Sequence, residues 1–220
     1  MPKAMLLGCA LSFCLCATLP ANASSILLDF AGLKDKEPVE NFYNGGTGGF
    51  GSTKGLNFGI TFSSNTLAIK SYLQNGSGNF AKTPSGTPAI FFTGTTSGVM
   101  NSSGGFTNGV SFYYAAGATA TVTVWSGTNG SGSVLATITL SPNSGGTCGA
   151  TYCNWAPVEL AFVGGAQSVV FSGSANKLGI SDINVGSSLT AIPEPSSFLL
   201  LGTGMAGLYG KLRYRRRKLS

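Results

Sequence analysis

Few residues in this chain can do chemistry, and histidine is missing from all 220 positions. Without an imidazole, Ser-His-Asp and Cys-His nucleophilic centres and histidine-ligated zinc are excluded. Seven acidic residues remain, so a glycan-active enzyme, which needs two carboxylates at a fixed separation, stays open as an alternative. The cluster Asp35, Glu37 and Glu40 is typical of solvated surface charge. The residue types favour a binding or structural protein that is not an enzyme.

Two other acids lie near the ends of the central part of the chain. Asp29 follows the first predicted strand, and Asp182 lies in the last one. If these strands are neighbours, the two carboxylates approach one another and can help to hold calcium, which prefers oxygen ligands. Structural hydrogen bonding explains the two residues equally well. No other cofactor or metal is predicted.

Exposed aromatic rings are the remaining candidates for ligand contact. Trp125, Tyr152 and Trp155 lie at a strand end or beside a cysteine-bounded loop, and Tyr43 lies in a segment rich in Gly and Asn. Sugars stack on exposed rings of this kind, so these four residues are the predicted glycan contacts. Packing in the core or anchoring of a loop is the alternative explanation for each of them.

Five cysteines reduce to two in the mature protein, because Cys9, Cys14 and Cys16 lie in a predicted signal peptide. Cys148 and Cys153 remain, and outside the inner membrane such a pair forms a disulfide. We expect this bond to fix the Gly-rich loop 144–154. In the chain-entropy account so short a loop contributes about 2 kcal/mol.

Two short motif matches carry little weight. Residues 46–51 satisfy G-x-G-x-x-G, but no helix is predicted after them to complete a dinucleotide-binding turn. Residues 174–177 satisfy S-x-x-K, yet they join two predicted strands, whereas that chemistry needs the serine at the start of a helix.

The N-terminus has the pattern of a secretory signal. Lys3 precedes an apolar run over 4–19, and Ala21 and Ala23 are the small residues that signal peptidase accepts before its cleavage site. Residues 1–23 are therefore predicted to be removed on export.

The C-terminus combines three features in a fixed order. Pro193, Glu194 and Pro195 are followed by a mostly apolar segment at 196–210 and a basic one at 211–218. As a helix the apolar segment is about 22 Å long, so it crosses the roughly 30 Å hydrocarbon core only with local thinning and snorkelling. The basic residues are expected to stay cytoplasmic, which leaves the preceding domain outside the inner membrane.

This arrangement resembles the PEP-CTERM sorting signal of Gram-negative bacteria over residues 191–220. The resemblance implies recognition by an exosortase, a membrane transpeptidase-like cysteine protease, which removes the helix and releases or transfers the domain to the cell surface or the extracellular matrix of a biofilm. The two prolines keep 192–195 extended ahead of the helix. An ordinary anchor that is never cut is the alternative.

The formal charge of +6 belongs to the precursor and not to the exported domain. Between residues 24 and 192 six lysines balance six acids, and every arginine lies in the C-terminal tail. Nucleic acid is therefore excluded as a partner on electrostatic grounds.

Period-two alternation and Gly-rich punctuation predict an all-β domain over 24–190. The predicted strands are 25–30, 56–63, 89–93, 109–115, 118–125, 134–140, 158–163, 168–171 and 178–185. Segment 66–75 also fits helical spacing. The Asn-Gly sequence between 118–125 and 134–140 predicts an antiparallel hairpin. This pattern is typical of an antiparallel, jelly-roll-like β-sandwich.

Segments 41–46, 59–63 and 179–183 resemble those of exported jelly-roll ectodomains that carry this tail, and a Gly-Ile-x-Asp-Ile strand such as 179–183 recurs in carbohydrate-binding jelly rolls. This resemblance implies a fold more than an activity, and no ligand residue carries over from it. With the sorting signal, it leads us to expect a non-enzymatic exported surface or matrix protein, with exopolysaccharide as the candidate ligand. A glycan-active enzyme and a purely structural or adhesive surface protein are the alternatives.

Overall fold

The computed structural model describes residues 25–53 and 55–186. The predicted signal peptide, the Pro-Glu-Pro motif, the helix predicted at 196–210 and the basic segment lie outside these ranges. Within them, no helix is long and apolar enough to span a membrane.

The described part of the chain contains eleven β-strands and two single-turn 3₁₀ helices, joined by loops. The strands are β1 (Ile26–Leu28), β2 (Ile60–Phe62), β3 (Thr66–Ile69), β4 (Ala89–Phe92), β5 (Ser97–Phe106), β6 (Gly109–Ala116), β7 (Ala120–Trp125), β8 (Val134–Leu140), β9 (Ala156–Ala161), β10 (Ala166–Gly173) and β11 (Leu178–Val185). The 3₁₀ helices are Tyr72–Gln74 and Thr128–Gly130.

The strands form two antiparallel sheets packed face to face. The first sheet has the order β3-β4-β11-β6-β9, with β1 also paired to β11, and the second has the order β2-β5-β10-β7-β8. From β4 onward the chain alternates between the sheets, except at the hairpin β7–β8, which is the strand order of a jelly roll. The predicted all-β antiparallel sandwich is confirmed.

Alternating side chains fill the space between the sheets. In β7 the buried positions are Ala120, Val122 and Val124, and the residues between them face outward. The rings of Phe112 in the first sheet and Phe171 in the second meet edge to face at 5.8 Å, an arrangement that favours close aromatic packing. The strands that build this core all lie between residues 26 and 185, so this segment contains the whole sandwich.

The predicted hairpin is present, with Thr121 opposite Thr139 and Thr123 opposite Thr137. Its Asn129 and Gly130 have φ values of 55° and 68°, the left-handed conformation that Asn-Gly pairs adopt in tight hairpins.

Three strand predictions need correction. β5 was not predicted, because its sequence SGVMNSSGGF has the composition of a loop. β3 occupies the start of the ambiguous segment 66–75, and a 3₁₀ turn follows it. Residues 56–59 are not strand, because the amides of Phe58 and Ile60 both donate to the Tyr43 carbonyl and the chain bends at Gly59.

Candidate ligand-binding groove

A half-open groove of about 270 Å³ crosses the outer face of the first sheet. Its floor is apolar and is built by Ile69 of β3, Phe91 of β4, and Ala115 and Gly179 on the neighbouring strands β6 and β11. Ala115 and Gly179 are directly opposite in the ladder. Two such small residues side by side leave room above the sheet for a large ring.

Trp155 occupies that room. A Cβ atom at Gly179 would lie 3.3 Å from the Cη2 atom of the Trp155 ring, which is closer than an ordinary contact. The glycine therefore lets the ring lie against the sheet without displacement. The indole Nε1 donates to the Ala81 carbonyl at 3.0 Å. Phe80 meets the ring edge to face at 5.6 Å. These three contacts hold the half-buried indole as a wall of the groove.

Tyr152 forms a second aromatic part of the groove. Its amide donates to the Asn79 carbonyl at 3.2 Å, and the Ala81 amide donates to the Tyr152 carbonyl at 3.1 Å. Burial raises the pKa of the Tyr152 phenol above its ordinary value. The phenol therefore stays neutral and can both donate and accept a hydrogen bond.

The predicted disulfide Cys148–Cys153 is confirmed, and it closes the loop that carries Tyr152. The Tyr72 hydroxyl donates to the Cys148 carbonyl at 2.8 Å. The Thr151 amide donates to the Asn79 side-chain oxygen at 3.0 Å. On the other side of Tyr152 the Cys153 amide donates to the Gly145 carbonyl at 3.2 Å, so the loop is fixed by a covalent bond and by hydrogen bonds on both sides of the ring.

Exposed polar side chains complete the lining of the groove: Lys36, Ser77, Asn79 and Asn176. Asp35 precedes Lys36 in the chain and binds the segment that carries Ser77. Its carboxylate accepts hydrogen bonds from the Lys70 amide at 2.9 Å and from the Ser77 amide at 3.1 Å, which keeps Lys36 and Ser77 near one another. Partial burial alone would raise the pKa of Asp35, but these hydrogen bonds lower it below its ordinary value.

The two other predicted glycan contacts lie elsewhere. Tyr43 is only 3% exposed and belongs to the core, where its hydroxyl accepts from the Phe30 amide at 2.7 Å. In this position its ring is not available to a ligand. Trp125 is on β7, in the opposite sheet, and its indole nitrogen is buried without a hydrogen-bond partner in the described part of the chain. The structure therefore brings together only Tyr152 and Trp155.

Sequence analysis did not identify Lys36, Asn79, Phe91 or Asn176 as members of the site. They come from four separate segments that only the folded chain brings together. The sequence AIFF of β4 contains one usable signal, since Phe91 lies between buried neighbours and must face outward.

The predicted calcium residues lie at the junction of β1 and β11. Leu28 pairs with Ile183, so Asp29 and Asp182 are the next residues along the two strands, and the Asp29 carboxylate accepts from the Ala31 amide at 3.1 Å. One Asp182 oxygen accepts from Ser85 and Ser181, and the other is buried without a partner among the described residues. Calcium takes about six to eight oxygen ligands, and the described residues contain no group of three or more acidic, cysteine or histidine side chains suited to a metal. Calcium binding stays a prediction.

Glu37 is not a surface charge, contrary to the prediction. It is fully buried, and its carboxylate accepts from the amides of Lys34, Phe50 and Ser52 and from the Ser52 hydroxyl, at 2.6–3.0 Å. Three of these four donors, on Phe50 and Ser52, belong to or adjoin the G-x-G-x-x-G segment 46–51. The amides at the end of that segment thus bind a carboxylate of the same chain.

Comparisons with solved structures find chains of low sequence identity. A module named CsCBM6-3 from Clostridium stercorarium, solved in complex with cellobiose, is 18% identical, with 57% of this chain and 85% of the module covered and a TM-score of 0.37. A variant of a family 29 carbohydrate-binding module is 12% identical over 78% of this chain and 99% of that one, with a TM-score of 0.43. The cleaved adhesin domain of Lys-gingipain from Porphyromonas gingivalis is 9% identical over 76% and 99%, with a TM-score of 0.41.

No curated protein sequence matches the chain. One family profile does match, and it covers residues 191–217, where Pro193, Glu194 and Pro195 lie. The profile describes the PEP-CTERM protein-sorting motif. The chain therefore carries at its C-terminal end the PEP-CTERM motif, a sorting signal of exported proteins in Gram-negative bacteria.

Proposed function

We propose that this protein is exported, is sorted through its PEP-CTERM motif, and then binds an extracellular polysaccharide in the groove on the first sheet. The observation that carries the proposal is the pair Tyr152 and Trp155, two half-buried rings fixed on an open groove with polar side chains around them. The protein itself performs no reaction.

The chemistry of the groove suits a sugar. A pyranose ring has apolar C–H faces and hydroxyl groups at its edge, so it needs flat apolar contacts and hydrogen-bond partners in the same site. The two rings and the floor residue Phe91 provide the apolar contacts, while Lys36 and Asn176 provide donors. The volume of about 270 Å³ suits one sugar unit. Because the groove is open on one side, that unit can belong to a longer polysaccharide chain.

The same composition argues against hydrolysis of the glycan. A glycosidase needs two carboxylates on either side of the bond that it cuts. Among the described residues that line the groove there is no Asp or Glu. Binding is therefore the better supported function of this site.

The sorting motif supports a location outside the cell for this binding. A PEP-CTERM motif implies processing by an exosortase. We infer that signal peptidase removes 1–23, that the helix at 196–210 anchors the protein transiently in the inner membrane, and that the released domain reaches the cell surface or the extracellular matrix. There it would meet the polysaccharide.

Retention of residues 24–192 on immobilised exopolysaccharide of the host tests the proposal. The wild-type segment should be retained, and Trp155→Ala should bind at least about tenfold more weakly, equivalent to about 1.4 kcal/mol. Because that substitution also removes packing against Phe80, Lys36→Ala gives a second variant at an exposed position. Lys177→Ala, exposed but outside the groove lining, is its control.

Retention no stronger than that of an unrelated neutral β-sandwich would contradict the proposal. So would equal retention of the wild type and both groove variants, provided that circular dichroism shows all of them folded.

A further inference from the structure

Most sheet edges in this sandwich are short or covered. β1 and β2 have only three residues each, and the amides of β2 also donate to the carbonyls of Glu40 and Tyr43. β3 is paired with 37–39, where the Ala68 amide donates to the Glu37 carbonyl and the Val39 amide to the Thr66 carbonyl. Such covering prevents an edge from pairing with another chain.

β9 is a longer edge, but its sequence blocks pairing. It contains Pro157, which has no amide hydrogen, and the charged residue Glu159. Proline and charge are the two side-chain features that most often keep edge strands apart.

β8 has none of these protections, and only a bulge at Leu135, where the register with β7 shifts, interrupts its pairing. It runs for seven residues, Val134–Leu140, with the sequence VLATITL and an exposed Val134. Its ladder bonds go to β7, and no backbone hydrogen bond from another described segment reaches it. Half of its main-chain donors and acceptors therefore point away from the sheet without a protein partner in the described ranges.

Charge does not protect this edge either. None of the five strands of the second sheet contains a Lys, Arg, Asp or Glu, and no charged residue occurs between Lys82 and Glu159. The segment 24–192 is neutral overall. Two copies that approach through this sheet therefore meet no electrostatic repulsion.

We propose that β8 is an interaction surface for a second copy of this chain, in which two β8 strands pair antiparallel and join the second sheets into one continuous sheet. A two-fold axis at Thr137, the middle residue of β8, places Thr137 opposite itself and Ala136 opposite Ile138, two residues that both pack against the core. This register keeps the outward-facing side chains of both copies on one face. The strand is rich in β-branched residues, which favour such pairing.

Sedimentation velocity on residues 24–192, over a range of concentrations, tests the proposal, since this segment contains the complete sandwich. The wild type should form a dimer. Thr137→Lys should weaken association by about fivefold or more, because it places two like charges opposite each other in a cross-strand pair. The matched control is Thr123→Lys on the same face of β7, one strand away from the edge, and it should dimerise like the wild type.

Hydrogen exchange provides a second readout that does not depend on substitution. The β8 amides should exchange more slowly at concentrations where the dimer forms, while the amides of β9 should not change. A wild type that stays monomeric throughout would overturn the proposal. Equal dissociation by Thr123→Lys and Thr137→Lys would also overturn it, because it would indicate contact through the sheet face.

Discussion

The buried carboxylate of Glu37 allows a quantitative prediction about the loop that leads into the sandwich. In Glu37→Gln an amide group replaces one carboxylate oxygen, so at least one of the donors from Lys34, Phe50 and Ser52 meets another donor. A hydrogen bond to a charged group contributes about 1.5–3 kcal/mol, and a buried donor left without a partner costs about 1–3 kcal/mol. We therefore expect Glu37→Gln to lower the free energy of unfolding by about 2–4 kcal/mol.

Urea unfolding of residues 24–192 at neutral pH measures this change. Glu40→Gln is the matched control, because Glu40 is half-buried and its side chain accepts no hydrogen bond from the described residues. Its effect should stay within about 0.5 kcal/mol. A loss below about 1 kcal/mol for Glu37→Gln would refute the conclusion that this carboxylate organises the loop.

The same residue predicts a pH dependence. Burial alone would raise the pKa of Glu37, but hydrogen bonds from Ser52, Lys34 and Phe50 lower it below its ordinary value of 4.5. A carboxyl group with a lowered pKa in the folded state stabilises the protein at pH values above its pKa in the unfolded state. This stability is lost as the pH falls through its pKa in the folded state. The free energy of unfolding of the wild type should therefore decrease as the pH falls below about 4.5. The decrease should be less steep in Glu37→Gln, which lacks this titrating group.

Three further predictions concern other parts of the chain. Cys148→Ser should cost about 2 kcal/mol of stability and weaken polysaccharide retention, measured by urea unfolding and by the retention assay. Calcium binding through Asp182 predicts that added calcium raises the Tm of the wild type but not that of Asp182→Asn; equal shifts would argue against this residue as a ligand. Mass spectrometry of the exported protein from its host should find the Arg-rich segment removed, and Glu194→Ala should leave it attached; an intact tail on the exported wild type would contradict processing.

The sequence predicted the fold well where apolar and polar residues alternate. β8 and β11 have the predicted bounds, and the hairpin β7–β8 forms at the predicted Asn-Gly turn. β5 escaped prediction because serine and glycine fill six of its ten positions. Its place between β2 and β10 is set by pairing with distant parts of the chain, which a local pattern does not reveal.

The candidate site was only partly predictable. Trp155 and Tyr152 were identifiable because large rings beside a disulfide loop are few in this chain. Tyr43 also lies in a segment rich in Gly and Asn, but its ring packs in the core and its hydroxyl accepts a hydrogen bond from the Phe30 amide. Glu37 had the appearance of a surface residue because its four donors come from residues up to fifteen positions away.

The two tryptophans allow the most direct test of glycan binding in the groove. Trp155 lines the groove on the first sheet, and Trp125 lies in the opposite sheet, so their two indole N–H signals in a ¹H–¹⁵N spectrum report on the two faces separately. Titration of residues 24–192 with soluble fragments of the host exopolysaccharide should shift the Trp155 signal and leave the Trp125 signal in place. No shift of the Trp155 signal at saturating fragment, or a shift of Trp125 alone, would contradict binding in this groove.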